Sequence, residues 1–131
     1  MPGRAGVPAG RAADLNRSWI VLGGGGHATV VIDTLLLLQR RILGFTDSGP
    51  SGVVLGVAHL GGDGMIDRYD PYEVVLANGL GSIGSTNART SLYRRFATRG
   101  YDFPPVIHPA AVVAVSAIVG AGAQVMAGAV V

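Results

Sequence analysis

The stretch Trp19-Ile-Val-Leu-Gly-Gly-Gly-Gly-His-Ala28 decides the fold. Trp19 to Leu22 is short, apolar and rich in residues that favour extended backbone, and glycine halts it abruptly. From Ala28 the pattern turns helical. Val31, Ile32, Leu35, Leu36 and Leu38 give an almost all-round apolar surface, which a sheet or another helix must cover. Strand, glycine loop and helix in this order form the phosphate-binding βα turn of doubly wound α/β folds. The first N–H groups of such a helix are unpaired, its dipole favours negative charge there, and glycine lets an anion reach the backbone.

Working outward, residues 1–17 lack periodicity and carry glycine and proline, which reads as a disordered leader. After strand 18–22, loop 23–27 and helix 28–40, Arg40 and Arg41 suit the negative end of that helix. Ile42 to Thr46 is a second strand ending on Asp47, and Ser48 to Gly52 has turn chemistry. Val53 to Leu60 reads as a small edge strand, and Asp63 to Tyr69 as one or two helical turns. Glu73 to Asn78 is the third good strand, breaking into the glycine-rich loop 79–84. Asn87 caps a helix running to Arg99 with Ala88, Leu92 and Phe96 on one face, and Gly100 ends it.

From Ile107 the period changes. Ile or Val recurs every sixth residue at 107, 113, 119, 125 and 131, and alanine keeps the same spacing at 111, 117, 123 and 129. Two registers held through four hexads are the signature of a β-helix, with branched residues stacked inside and small residues at the corners. The expected organisation is a leader over 1–17, a nucleotide-binding α/β domain over 18–106, and the start of a hexapeptide β-helix over 107–131.

Composition narrows the function. The chain has 131 residues, 49% hydrophobic and 14% charged, which suits one modest folded domain with a small appendage. There is no cysteine, so disulfides and thiolate metal sites are excluded, in keeping with a cytoplasmic protein. Every cation is arginine, and the formal charge of +2 sits entirely in residues 1–17. That distribution argues against a nucleic-acid face. No apolar run approaches the roughly 18–20 residues of a membrane span.

Gly23-x-Gly25-x-x-Ala28 satisfies the dinucleotide fingerprint, and Asp47 follows about 20 residues on at the end of the second strand. This predicts a phosphate at Gly24, Gly25 and Gly26 and a ribose hydroxyl or base edge at Asp47, unless the glycines only allow tight helix–strand packing. The loop at Gly79 should open on the same sheet edge, where Asn78 and Ser82 line a pocket unless the loop is a plain connector. Arg89 faces either a phosphate or solvent. His27, beside the glycines, either donates to a ligand phosphate or bonds backbone. His59 and His108 are isolated, and three scattered histidines make no metal site. Neither Ser82 nor Ser85 sits in a nucleophile elbow.

Four glycines before His27, then Phe45-Thr-Asp47, then Val106-Ile-His-Pro-Ala-Ala111 leading into hexads, resemble one family over residues 18–131. It is that of the sugar acyltransferases, including sialic-acid O-acetyltransferases and nucleotide-linked amino-sugar N-acetyltransferases. The resemblance implies a Rossmann-like domain that binds a sugar or UDP-sugar through Gly24, Gly25, His27 and Asp47, and the fingerprint and the loop after the third strand add Gly23, Gly26, Asn78 and Gly79 to the candidate site. It also implies a left-handed β-helix that forms a homotrimer and holds acetyl-CoA as co-substrate between subunits. In that family the general-base histidine and the acetyl-CoA groove belong to later coils, and four hexads make little more than one coil. Residues 1–131 alone are therefore expected to recognise substrate without transferring acetyl, and no catalytic residue is assigned among them. Val119, Val125 and Val131 are expected to have little beneath them. Rival readings are an NAD(P)-binding oxidoreductase domain, favoured by the fingerprint alone, and a non-catalytic nucleotide-binding module.

Overall fold

The computed structural model describes residues 16–49, 52–81 and 87–131. The chain runs β1 (Ser18–Leu22), α1 (Gly26–Leu37), β2 (Ile42–Thr46), β3 (Val53–Val54), β4 (Val57–Gly61), a 3-10 helix (Asp63–Arg68), β5 (Val74–Asn78), α2 (Asn87–Ala97), β6 (Val106–Ile107) and β7 (Gln124–Val125). The main sheet has the order β3-β4-β2-β1-β5. β1 pairs in parallel with both β2 and β5, β2 pairs in parallel with β4, and only β3 runs antiparallel.

The pleat sorts the two cores. Trp19 and Val21 of β1, with Val75 and Ala77 of β5, face α1 residues Ala28, Val31, Ile32 and Leu35. Ile20 and Leu22, with Val74 and Leu76, face Ile66, Phe96, Tyr101 and Phe103. Alternate residues along each strand thus bury against opposite layers, as a sheet covered on both faces requires.

Several boundaries differ from the sequence reading. α1 starts at Gly26 and stops at Leu37 rather than running to Arg40. Gln39 takes the left-handed conformation (φ 59°), its N–H donates to the Leu36 carbonyl, and that of Arg40 donates to Leu35. This is a Schellman stop built on glutamine instead of glycine, so no sequence signal announced it. Arg40 still serves the helix end, donating to the Leu38 carbonyl at 3.2 Å, whereas Arg41 turns to the Ser18 hydroxyl at 2.7 Å. The single edge segment over 53–60 is a hairpin, turned at Leu55 and Gly56, both with positive φ. Of the leader, residues 1–15 lie outside the described residues. Arg17 is buried, and its guanidinium donates to the Pro71 carbonyl at 3.1 Å and to Asp102 at 3.0 Å. It therefore belongs to the folded body.

Residues 106–131 make one turn of a parallel coil. Ile107 pairs with Val125 and Val112 with Val130, and both offsets are 18 residues, or three hexads. Ala111, Val119 and Val125 are buried inside it, flanked by Ile107, Val113, Ala123 and Ala129. Val119 and Val125 are buried by contacts within their own coil, while Val131 stays 46% exposed. The coil is anchored on the sheet unit. Val106 joins the α1-side core, and Gly122 donates to the Phe103 carbonyl at 2.7 Å.

Tyr101 closes the other side. Its single hydroxyl proton is shared between the carbonyls of Ile66 (2.9 Å) and Tyr69 (2.5 Å), tying the segment after α2 to the 3-10 helix. Burial disfavours the phenolate and raises its pKa above 10.0, with Asp67, Asp70 and Glu73 adding to the rise and Arg99 opposing it. A folded pKa above the unfolded one means that the folded chain holds this proton longer. The stabilisation is complete below pH 10.0 and is lost as pH rises through the folded pKa. Tyr101→Phe should cost about 1–2 kcal/mol at neutral pH, and urea unfolding across alkaline pH should show a shallower fall in stability than for the wild type.

Candidate nucleotide-binding cleft

The strand order reverses at β1, with β2 on one side and β5 on the other. Ligands of open α/β sheets bind at such a switch point, beyond the carboxyl ends of the strands. Two glycine loops meet there. The Gly23 N–H donates to the Thr46 carbonyl at 2.6 Å, and the Gly79 N–H to the Leu22 carbonyl at 2.7 Å. A Cβ on Gly23 would stand 3.3 Å from the Gly79 carbonyl group. One on Gly79 would meet the Leu22 oxygen at 2.6 Å, the Ala28 Cβ at 2.8 Å and the Val21 side chain at 2.9 Å. Both loops need glycine because their backbones touch.

Beyond them opens a cleft of about 320 Å³, at the small end for ligand sites. Gly23, Thr46, Asp47, Ser48 and Asp63 line it from the strand ends. Leu80 follows β5, and Ala88, Ser91, Leu92 and Arg95 come from α2. The Thr46 hydroxyl donates to Asp63 at 2.9 Å, and the Arg95 guanidinium stands 3.9 Å from the other Asp63 oxygen. That ion pair is long and partly exposed, and the guanidinium also lies over the Phe96 ring, 5.0 Å from its centroid, so Arg95 presents positive charge at the cleft. Asp47 is set by its backbone: its N–H donates to Gly61, and its carbonyl meets His59 Nε2 at 3.0 Å. His59 stacks on Phe45, with ring centroids 5.3 Å apart.

The arrangement separates its chemistry. On the β2–β4 side, the Asp47 and Asp63 carboxylates accept hydrogen bonds, which suits ribose hydroxyls or base N–H groups. On the β1 side, α1 begins without a side-chain cap and without an acidic residue in its first turn. Gly25 and Gly26 have nothing within 4 Å of where a Cβ would be, so the open backbone there suits a phosphate. Gly24 is tighter: a Cβ would strike the Phe45 ring at 2.7 Å and approach Asp47 Oδ2 at 3.0 Å.

Of the residues expected from sequence, Gly23 and Asp47 line the cleft, Gly24 abuts the Asp47 carboxylate, and Gly25 and Gly26 are not among the lining residues. Gly79 is buried beneath it. Asn78 is also buried, and its amide donates to the Arg89 carbonyl at 3.0 Å while its Oδ1 accepts the Leu80 N–H at 3.1 Å. Asn78 therefore shapes the wall rather than facing the cavity. His27 turns toward the coil, with Nε2 at 2.7 Å from Gln124 Oε1, and Arg89 donates to the same oxygen at 3.1 Å. Arg89 is half-buried, and its guanidinium spends one donor on the Gln124 side-chain amide oxygen. His108 Nδ1 accepts the Ala110 N–H at 2.9 Å. Ser82 lies outside the described residues.

Sequence reasoning missed Asp63 and Arg95. Residues 88, 91, 92 and 95 form an i, i+3, i+4, i+7 stripe, a signal that was present but overshadowed by the apolar triad ending at Phe96. Asp63 becomes visible only once β4 is paired parallel to β2, which brings its end to the ligand edge. Among the described residues, no group of three or more histidines and carboxylates is able to hold a metal ion, and no helix is long and apolar enough to cross a membrane.

A family model described as the PglD N-terminal domain matches residues 19–96. No curated protein matches the chain. Among solved structures, the acetyltransferase domain of PglB from Neisseria gonorrhoeae FA1090, in complex with acetyl coenzyme A, is 32% identical with a TM-score of 0.80. The match covers 88% of this chain and 55% of that one. A mutant of perosamine N-acetyltransferase from Caulobacter crescentus, in complex with CoA and GDP-perosamine, is also 32% identical, with a TM-score of 0.79. That match covers 87% of this chain and 53% of the other. PerB from the same organism, with the same ligands, is 31% identical over 87% of this chain and 53% of its own, with a TM-score of 0.76. The chain thus spans about half the length of the solved structures it matches.

The touching loops give a direct test. Gly79→Ala should lower stability by about 1–3 kcal/mol through overpacking, read as a lower urea midpoint. Gly26→Ala, with open space around its Cβ, should leave the midpoint nearly unchanged.

Proposed function

The chain belongs to the PglD N-terminal domain family, and from that membership we propose that it is the substrate-recognition part of an acetyl-CoA-dependent sugar acetyltransferase. Its ligand is a nucleotide-linked sugar. The single observation that carries this reading is the cleft at the β1–β5 switch point, lined by Gly23 and the Asp47 and Asp63 carboxylates, where Gly23 leads into the open backbone of Gly25 and Gly26 at the start of α1. Support also comes from two of the matched acetyltransferase structures, which contain CoA and GDP-perosamine.

In this reading the diphosphate lies over Gly24, Gly25 and Gly26 at the start of α1, where helix N–H groups and dipole favour negative charge. Arg95 meets it from across the cleft. Asp47 and Asp63 take the ribose or base donors, and the preferred nucleotide is uridine diphosphate. Acetyl-CoA supplies the acyl group in the complete enzyme, and the sugar presents a hydroxyl or amine whose proton a general base must remove. These residues are assigned recognition, not proton transfer. The three histidines are engaged with Gln124, with Phe45 and the Asp47 carbonyl, and with the Ala110 N–H. The coil from Val106 is proposed as the opening turn of a left-handed, hexapeptide-repeat β-helix through which the whole protein forms a homotrimer. The proposed location is the cytoplasm.

Calorimetric titration with UDP-N-acetylglucosamine, UDP, GDP and NAD tests the reading. A uridine or guanosine diphosphate should bind and NAD should not, whereas tight NAD binding alone would sink the assignment in favour of a dinucleotide domain. Asp47→Ala should weaken the bound nucleotide by about 1–3 kcal/mol, since ligand donors lose their acceptor, with little change in melting temperature. A fall in melting temperature with affinity intact would make Asp47 structural.

A further inference from the structure

Gln124 stands on the coil, outside the cleft, yet it touches three elements that build the cleft. Its Nε2 donates to the Asn78 carbonyl at 2.6 Å. Its Oε1 lies 3.1 Å from Arg89 Nη2 and 2.7 Å from His27 Nε2. The amide has one workable orientation. Reversed, it would set oxygen against the Asn78 carbonyl and an NH2 group against a guanidinium, which has no acceptor. The hydrogen in the His27 contact must then sit on the imidazole, because an amide oxygen has none to give. His27 is therefore held with its proton on Nε2. The chain of contacts continues inward. Asn78, gripped at its carbonyl by Gln124, spends its side chain on the Leu80 N–H and the Arg89 carbonyl, and Leu80 forms part of the cleft wall.

We propose that Gln124 is a positioning residue through which the coil sets the shape of the cleft. One amide fixes the imidazole at the glycine loop, draws in the first turn of α2 and holds the wall at Asn78 and Leu80. Its consequence for ligand affinity rests on the nucleotide-sugar reading above, while its geometric part does not. A sugar-nucleotide cleft governed from the coil would form fully only when the coil is seated.

Two substitutions in the 131-residue chain separate the roles. Gln124→Ala removes all three contacts. Gln124→Glu keeps an acceptor for His27 and Arg89 but sets a second oxygen against the Asn78 carbonyl. Nitrogen-15 NMR of wild-type His27 should show the proton on Nε2. Gln124→Ala should give a tautomer mixture, and Gln124→Glu should keep the Nε2 proton. Amide exchange at Leu80 should quicken in both variants. The dissociation constant for UDP or GDP should rise roughly five- to tenfold in both, the loss expected for about one hydrogen bond. A proton on Nδ1 in the wild type, or unchanged Leu80 exchange in both variants, would overturn the proposal. So would wild-type nucleotide affinity in both. Should Gln124→Ala not fold, Gln124→Glu carries the exchange and affinity readings. If the wild type binds no nucleotide, the functional reading fails, and tautomer and exchange still decide the role of Gln124.

Discussion

Everything in this structure depends on β1 being enclosed on both faces and both edges. Its residues are wholly buried, it is hydrogen-bonded in parallel to β2 and β5, and helices cover it above and below. A strand so enclosed has one free direction, its carboxyl end, and the chain must leave there through a turn that brings in no side chains. The four glycines meet that demand, and the same lack of side chains leaves helix N–H groups open to an anion. Folding and binding thus draw on one property of one stretch. The cost falls on β5, whose exit at Gly79 is pressed so close to Leu22 that it too must be glycine.

The second dependence is between the sheet unit and the coil. Val106 supplies apolar burial, and Gln124 supplies polar contacts that are specific in direction. Apolar burial tolerates small rotations, whereas an amide bonded at both ends does not. The orientation of coil against cleft is accordingly set by polar groups at the joint, and those groups are the ones that shape the loop after β5.

The parts of the fold written in local pattern were legible from sequence. β1, β2, β5 and both helices follow from apolar runs and glycine breaks, although Asn87 is the first residue of α2 rather than a cap before it. The hexads, with the three-per-coil arrangement the resemblance implies, match the 18-residue offset of the paired strands. What stayed hidden depended on contacts distant in sequence. The stop of α1 rests on Gln39 in a left-handed conformation that nothing about glutamine advertises. Asp63 reaches the cleft only because β4 adds to β2, and His27 looked like a ligand donor because its partner lies 97 residues away. Asp47 lines the cleft, since the end of a parallel strand next to β1 has few other places to be. Arg95 differs in being locally encoded: it shares the helical stripe of Ala88, Ser91 and Leu92, next to the apolar stripe that ends at Phe96.

The 18-residue offset of the coil turns chain length into a quantised variable. Each turn rises by one strand spacing, about 4.8 Å, and each side chain sits above its counterpart from the turn before. Adding or losing a single residue within a side would rotate every later position out of its column, so that Val119 and Val125 and the small alanines packed with them no longer meet inside the coil. Lengthening of such a chain is harmless only as whole turns, or as bulges extruded at corners where the columns are left untouched. Proteins built this way should therefore vary in size by steps rather than by degrees.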